Sequence, residues 1–281
     1  MAPSPAVRTD RDIFRLAPTA DADVLEAIAA RLEFRGTDEG YVRVSQAHFG
    51  RLPLAQARRI MALGCGTGIE VRALKRLARP DAAIVGVDHS PALIEAARRH
   101  TADEGLADNV TYQRGDAHHL PHGDAEFDIV TLQTVVSHLD DPLQVLREAG
   151  RVVSPGGTVA VFDGDYASLT FAYPDAVLAR TVEDALIQLI VANPRVMRDM
   201  PRLLPAAGLE LVEAAGTVYA NIGSGRFWPA MAASYGPLLA RSGLLPQTVV
   251  DDWLTFQARA AQDNTFFAGS SYYTYVARRP I

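Results

Sequence analysis

Short apolar segments alternate with stretches of helical periodicity from about residue 59 onward. The segments predicted as strands cover residues 59–63, 82–87, 110–114, 127–132 and 158–162. Between them, apolar residues recur three and four positions apart, which is the spacing of one helix face. The helices predicted from this spacing cover residues 69–77, 91–101 and 142–152. Strands that are apolar on both faces and alternate with helices favour an α/β fold, with a parallel sheet covered by helices.

Helical periodicity also marks the chain on both sides of this region. Residues 21–35 and 42–52 are predicted helices that precede the first strand. After residue 163 the alternation slows, and longer helices predominate. The segments predicted there are helices over 175–192, 195–207, 229–239 and 246–262 and strands over 209–221 and 266–277. Because no repeat or low-complexity linker interrupts the sequence, we predict a single domain over residues 1–281.

The chain is acidic, with a formal net charge of −6 at pH 7, and 48% of its residues are hydrophobic. Lys75 is the only lysine, and no basic run occurs. We therefore expect neither nucleic acid nor a membrane as a partner, because both attract clustered positive charge. Cys65 is the only cysteine, and residues 1–12 lack the apolar core of a signal peptide. These features favour a soluble cytoplasmic protein, and they leave its oligomeric state open.

The most informative chemistry lies where the first predicted strand ends. Residues 63–68 read Leu-Gly-Cys-Gly-Thr-Gly, and a predicted helix follows directly. Glycines at such a turn let the backbone bend tightly and approach a ligand closely. The next strand ends at Asp88, where a carboxylate in a βαβ unit can accept hydrogen bonds from the hydroxyls of a ribose. Together, the glycine turn and Asp88 predict a nucleoside-binding site.

Neither common phosphate-binding motif fits this turn. A dinucleotide fingerprint requires a third glycine at the position of Ile69, and a phosphate-binding loop requires a lysine that is absent there. An NAD(P)-dependent oxidoreductase remains an alternative. It is disfavoured by the glycine spacing and by Val71, which stands where a Tyr-x-x-x-Lys pair with Lys75 requires tyrosine.

With these motifs, residues 57–163 resemble the class I S-adenosylmethionine (SAM)-dependent methyltransferases, especially those similar to the ubiquinone- and menaquinone-biosynthesis enzymes. The resemblance rests on five ordered motifs rather than on the glycine turn alone. They are Ile60–Gly68, Val87–Ser90, Gly115–Ala117, Phe127–Val130 and Leu146–Gly157. It implies a Rossmann-like, mostly parallel sheet of seven strands with an antiparallel last strand, helices on both faces and a helical cap.

The resemblance also implies a division of labour along the chain. Residues 1–56 would form an N-terminal helical arm and cap, 57–163 the cofactor-binding half, and 164–281 the substrate-side helices and last strands. The implied activity is transfer of the SAM methyl group, by SN2 displacement, to an O, N or C nucleophile of a small molecule. A non-catalytic SAM-binding protein of the same fold is a second alternative.

The family's binding residues carry over to the matching positions. Gly64, Cys65 and Gly66 would pass under the methionine part of SAM, with Gln133 near the methionine and sulfonium. Asp88 would bind the ribose diol. The adenine would lie beside His89, Asp116 and Ala117.

One position departs from the family pattern. An acid usually stands two residues before the first glycine, and here that residue is Ala62. That acid orders the loop and helps to hold the ammonium group of the cofactor. Tyr41 and Arg43, which precede the first strand, are candidates to reach the methionine end instead. The sequence is equally compatible with surface positions for both residues.

Two residues are candidates for a catalytic base, His138 after the fourth predicted strand and Asp165 after the fifth. Each follows the carboxyl end of a strand, where open α/β sheets bind their ligands. A histidine or aspartate near the acceptor would remove its proton where the chemistry requires it. For His138, a loop histidine satisfied by the backbone is as compatible with the sequence.

A histidine cluster follows Asp116, at positions 118, 119 and 122. No ligand spacing completes it, so we predict a solvated loop and no metal site. Aromatic residues are frequent in the last third of the chain and are candidates for a substrate pocket or for the core. They include Phe171, Tyr173, Trp228, Phe266, Phe267, Tyr272, Tyr273 and Tyr275.

Overall fold

A computed structural model of the protein describes Asp12 and residues 22–281. The rest of the predicted N-terminal arm, residues 1–11 and 13–21, lies outside the described residues. The strands are β1 (Arg59–Leu63), β2 (Ala83–Asp88), β3 (Val110–Arg114), β4 (Phe127–Gln133), β5 (Val153–Phe171), β6 (Glu210–Gly223) and β7 (Phe266–Arg278). The helices are α1 (Ala22–Thr37), α2 (Glu39–Phe49), α3 (Ile69–Leu77), α4 (Pro91–Asp103), α5 (Pro142–Val152), α6 (Ala176–Ile190), α7 (Val196–Ala206), α8 (Phe227–Ser242) and α9 (Gln247–Gln262).

The strands form one seven-stranded sheet in the order β3-β2-β1-β4-β5-β7-β6. Neighbours from β3 to β5 pair in parallel, and β7 pairs antiparallel with both β5 and β6. The predicted fold class is therefore confirmed, including the antiparallel last strand. The order reverses between β1 and β4, which is the switch point where open α/β sheets form a ligand crevice.

Alternate residues of β1 explain why helices cover both faces. Ile60 and Ala62 share a core cluster with Val71 and Leu74 of α3. Met61 and Leu63 point to the opposite face and join a cluster containing residues of α5 and α7. These four apolar side chains of β1 are fully buried, as their unbroken apolar run predicted.

Strand β5 is much longer than the five residues predicted for it. It runs from Val153 to Phe171, and its pairing with β7 continues past a register shift between Asp165 and Thr170. The strand predicted over residues 158–162 is thus only the middle of β5, and the chain stays in the sheet as far as Phe171. The physical reason is β7. This adjacent antiparallel strand supplies hydrogen-bond partners for the part of β5 that extends beyond the end of β4.

The helices α1 and α2 lie over the carboxyl ends of the central strands. Asp38 begins α2 by accepting a hydrogen bond from the Tyr41 backbone N–H at 2.9 Å. Tyr41 itself is 3% exposed and packs in the aromatic cluster formed by β5, α8 and β7. No helix in residues 22–281 is long and apolar enough to cross a membrane.

Candidate functional site

The glycine turn between β1 and α3 adopts the conformation that its sequence requires. Gly64, Gly66 and Gly68 have φ angles of 65°, 52° and 83°, in the left-handed region that favours glycine. The turn is closed by a hydrogen bond of 2.8 Å from the Gly68 N–H to the Cys65 carbonyl. A Cβ atom at Gly64 would overlap the side chain of Val135. The turn thus needs glycine both for its backbone angle and for its close packing.

Replacing Gly64 by alanine is expected to lower the free energy of unfolding by about 2–5 kcal/mol. The left-handed angle costs roughly 1–2 kcal/mol and the overlap with Val135 about 1–3 kcal/mol. Gly105→Ala is the matched control, because Gly105 has a φ of 68° and open space around its Cβ position. Urea denaturation measures both variants, and an equal loss for the two would contradict the proposed overlap.

Asp88 connects the end of β2 to the glycine turn. One carboxylate oxygen accepts from the Gly66 N–H at 2.8 Å, and the other accepts from the Ser90 N–H at 2.9 Å. The side chain is only 8% exposed. Since each carboxylate oxygen can accept more than one hydrogen bond, Asp88 is held in place and keeps acceptor capacity toward the cleft.

A cleft opens above the glycine turn, at the edge of the sheet where open α/β folds bind small-molecule ligands. It is bounded by α1, α2, the turn, the end of β2 and the segment after β4. The residues that line it are Leu32, Arg35, Tyr41, Gly64, Cys65, Gly66, Thr67, Ile69, Glu70, Asp88, His89, Leu93, Gln133, Thr134, Val135 and His138. Eight residues singled out in the sequence therefore meet in one place: Tyr41, Gly64, Cys65, Gly66, Asp88, His89, Gln133 and His138.

Four predicted site residues do not line the cleft, and the first two of these are Arg43 and Asp165. Arg43 is exposed on α2, 4.0 Å from Glu39. Asp165 is buried within β5, and its Oδ2 accepts hydrogen bonds from Arg198 at 2.7 and 2.9 Å. Asp165 does not line the cleft, because the longer β5 makes it a mid-strand residue rather than the first residue after a strand.

Asp116 and Ala117 lie in the loop after β3, outside the cleft lining. The Gly115 N–H donates to the Asp88 carbonyl at 3.0 Å, so the loop starts beside the end of β2. The Asp116 carboxylate is exposed and accepts from the His118 backbone N–H at 2.9 Å. Among the residues with described side chains, no group of three or more His, Cys, Asp or Glu is arranged to hold a metal ion.

His138 belongs to a short 3-10 helix, Val136–His138, that follows β4. Its Nδ1 lies 2.8 Å from the carboxylate of Asp12, which is 2% exposed. A carboxylate on one ring nitrogen fixes the orientation and tautomer of an imidazole.

Glu70, in the first turn of α3, was not singled out from the sequence. It lines the cleft and is 5% exposed. Burial raises the pKa of Glu70 to about 7, and a hydrogen bond with Thr131 partly opposes that rise. Its Oε1 has no hydrogen-bond partner. The Oε1 of Gln133 and the hydroxyl of Thr67, also in the cleft lining, likewise lack partners. The cleft thus presents three buried acceptor groups without a donor.

A second, smaller pocket lies beyond Arg35, which lines both cavities. Its walls are mainly aromatic and include Trp228 and Tyr272 from the aromatic set noted in the sequence. The lining residues are Arg31, Arg35, Gly164, Tyr166, Ile190, Phe227, Trp228, Met231, Tyr235, Ser270 and Tyr272. Arg31 and Arg35 were not identified from the sequence, since arginines on a predicted surface helix are usually solvated.

Comparison with known proteins agrees with this geometry. Residues 61–161 match the methyltransferase domain family. The chain is 34% identical over 223 residues to an uncharacterized 37.1 kDa protein in transposon TN4556 of Streptomyces fradiae, covering 77% of this chain and 61% of that protein. It is 30% identical over 171 residues to methyltransferase GfsG of Streptomyces halstedii, covering 61% of this chain and 59% of that protein. The chain thus spans about 60% of the length of these two relatives.

A solved structure shows the same fold. The chain solved in complex with the Trm112 methyltransferase activator of Haloferax volcanii superposes with a TM-score of 0.60 at 20% identity, covering 93% of this chain and 98% of that one. A ubiquinone biosynthesis O-methyltransferase of Azorhizobium caulinodans is 32% identical over 201 residues, covering 64% of this chain and 72% of that protein. The chain belongs to the class I SAM-dependent methyltransferase family.

Proposed function

We propose that this protein catalyses transfer of the SAM methyl group to a nucleophilic O, N or C atom of a small molecule in the cytoplasm. The observation that carries the proposal is the cleft, where Asp88 and three unpartnered acceptors surround a glycine turn at the sheet's switch point. A small acceptor is favoured over nucleic acid because the chain is acidic and has no basic run.

The residues of the cleft fit the cofactor's chemistry. SAM carries a ribose diol, a positively charged sulfur and a methionine with an ammonium and a carboxylate. We assign the diol to Asp88 and the space over the glycine turn to the methionine. His89, exposed beside Asp88, is assigned to the adenine side, with Asp116 and Ala117 in the neighbouring loop.

The acidic residue that helps to hold the ammonium group of SAM in this family is absent from the present chain, where Ala62 occupies its position. Ala62 is fully buried and pairs in register with Thr131 of β4, and Thr131 lies close enough to Glu70 to lower its pKa. A carboxylate from α3 therefore reaches the strand pair that contains Ala62. We assign the ammonium to Glu70 and Gln133, whose free oxygens supply the acceptors that a buried cation requires. Arg35 and Tyr41 are assigned to the carboxylate of the methionine.

When bound, SAM supplies a methyl group already activated by the positive sulfur. The protein has to align the acceptor and exclude water, and orientation of this kind contributes up to about 7–11 kcal/mol. We assign His138, which is held by Asp12 and lines the cleft, to accept a proton from an acceptor that must lose one, a contribution of roughly 100-fold or more. An amine acceptor that reacts in its neutral form needs no catalytic base. The role first predicted for Asp165 stays a prediction.

Cofactor binding and turnover test the proposal directly. S-adenosylhomocysteine (SAH) at 100 times its dissociation constant is expected to stabilise the full chain by about 2.7 kcal/mol, seen as a rise in melting temperature. NAD(H) and NADP(H) are the controls and are expected to have no effect. Incubation with methyl-labelled SAM and a panel of small phenols, amines and carbon acids should then yield labelled product. Stabilisation by a nicotinamide cofactor but not by SAH would refute the proposal, and SAH binding without any product would favour a non-catalytic SAM-binding protein.

A further inference from the structure

The second pocket, beyond Arg35, contains a buried positive charge. Arg31 projects from α1 into the pocket and is 8% exposed. Its guanidinium lies over the ring of Phe227 at 4.6 Å and near the rings of Phe34 and Tyr235 at 5.6 and 5.9 Å. Contacts with aromatic faces stabilise a cation, and they leave its N–H donors without acceptors.

Arg31 has no carboxylate partner in the described part of the chain. Its Nε and Nη1 atoms are buried and make no hydrogen bond. Burial lowers the pKa of the Arg31 guanidinium from its ordinary value, and the positive charge of Arg35 adds to this effect. The hydroxyl of Tyr235 opposes the shift only in part. A buried cation with free donors is costly unless an anion completes it, so the pocket is built for an anionic group.

Resting on the methyltransferase function proposed above, we propose that the methyl acceptor is a small aromatic or apolar carboxylate whose carboxylate group binds Arg31. The guanidinium matches a carboxylate in charge and hydrogen-bond geometry. The aromatic walls from Phe227, Trp228 and Tyr272 suit an apolar body of the acceptor. The specificity of this enzyme is therefore set in the second pocket, one helical turn from the cofactor cleft.

The position of Arg31 separates this role from cofactor binding. Arg35 follows Arg31 by four residues on α1 and lines both cavities, and its Nη1 donates to the Thr134 hydroxyl at 3.1 Å in the cofactor cleft. Of the two cavities, Arg31 lines only the second pocket. The carboxylate of the cofactor is thus assigned to Arg35, and Arg31 is left for the acceptor. A monoanion is proposed rather than a phosphate because Arg31 is the one guanidinium of this pocket that is left for the acceptor, and it carries a single positive charge.

Benzoate, its neutral analogue benzamide, and phenyl phosphate are probes for this pocket. Each is titrated calorimetrically into the full chain with and without SAH. We expect benzoate to bind at least about tenfold more tightly than benzamide, the loss typical of removing a charged hydrogen-bond partner. Arg31→Met should weaken benzoate binding by about tenfold or more and leave SAH affinity within about twofold. Arg31→Lys should retain the preference for benzoate over benzamide.

Arg226→Met is the matched control. Arg226 is exposed and lies over the ring of Phe34 at 5.3 Å, and it is absent from the pocket lining, so benzoate affinity should not change. The proposal is overturned by equal binding of benzoate and benzamide, by no detectable benzoate binding, by unchanged benzoate binding in Arg31→Met, or by a preference for phenyl phosphate. If the wild-type chain did not bind SAH, that result would count against the methyltransferase function instead. The titrations without SAH would still test the role of Arg31.

Discussion

Replacing Asp88 by alanine is expected to weaken SAH binding by roughly 100-fold or more. The carboxylate is assigned two hydroxyl groups of the ribose, and a hydrogen bond to a charged group contributes about 1.5–3 kcal/mol. The substitution also leaves the Gly66 N–H without its acceptor, which loosens the turn beneath the methionine. Asp88→Asn keeps an acceptor oxygen and loses the charge, so its affinity should lie between the two. Calorimetric titration of SAH measures all three proteins.

Asp175→Ala is the control for the Asp88 experiment. Asp175 also accepts two backbone hydrogen bonds, from Val177 and Leu178 at the start of α6, and it is exposed far from the cleft lining. Removing it costs about 1 kcal/mol of stability as a lost helix cap and should leave SAH affinity unchanged. If Asp88→Ala bound SAH as tightly as Asp175→Ala does, the ribose would have to lie elsewhere in the cleft.

The sequence could predict the parts of the site that depend on local backbone chemistry. The alternation of strands and helices, the left-handed turn at Gly64 and the acid at the end of β2 follow from periodicity and residue type within a few positions. These features need no knowledge of what packs against them. Eight of the predicted site residues consequently meet in one cleft.

The errors arose where a distant element decides the outcome. Asp165 was expected at a strand end because the apolar run stops near Phe162. In the structure, pairing with β7 carries β5 on to Phe171 and turns Asp165 toward Arg198. Glu70 and Arg31 were missed for a related reason. Both occupy helices in which a polar residue is ordinarily solvated, and only tertiary packing buries them.

Replacing Glu70 by glutamine is expected to have two opposite effects. It should weaken SAH binding by about tenfold or more at pH 8, because a carboxylate is exchanged for a neutral amide at the ammonium position. It should also raise the stability of the protein without cofactor at the same pH. Ionising Glu70 in the fold is costly, since burial raises its pKa from 4.5 to about 7. That rise corresponds to at most about 3 kcal/mol of stability.

The pH dependence fixes the sign of both effects. An unfolded chain releases the Glu70 proton near pH 4.5, whereas the folded chain holds it until about pH 7. Stability from this group is therefore complete below pH 4.5 and is lost as the pH rises to about 7. SAH affinity should change in the other direction and rise as the pH increases through about 7, because the ammonium binds the ionised carboxylate. Glu70→Gln should remove both slopes.

Glu26→Gln supplies the same chemical change at an exposed position of α1 and should alter neither stability nor affinity. Denaturation with urea and titration with SAH, each at pH 6 and pH 8, separate a functional role of Glu70 from a purely structural one. If Glu70 had a purely structural role, Glu70→Gln would make the protein less stable. If Glu70 binds the cofactor and its burial destabilises the fold, Glu70→Gln makes the protein more stable and lowers its affinity for SAH. Unchanged SAH affinity with a gain in stability would mean that Gln133 and Thr67 hold the ammonium without Glu70. The buried acid on α3 would then be no substitute for the residue that Ala62 replaces.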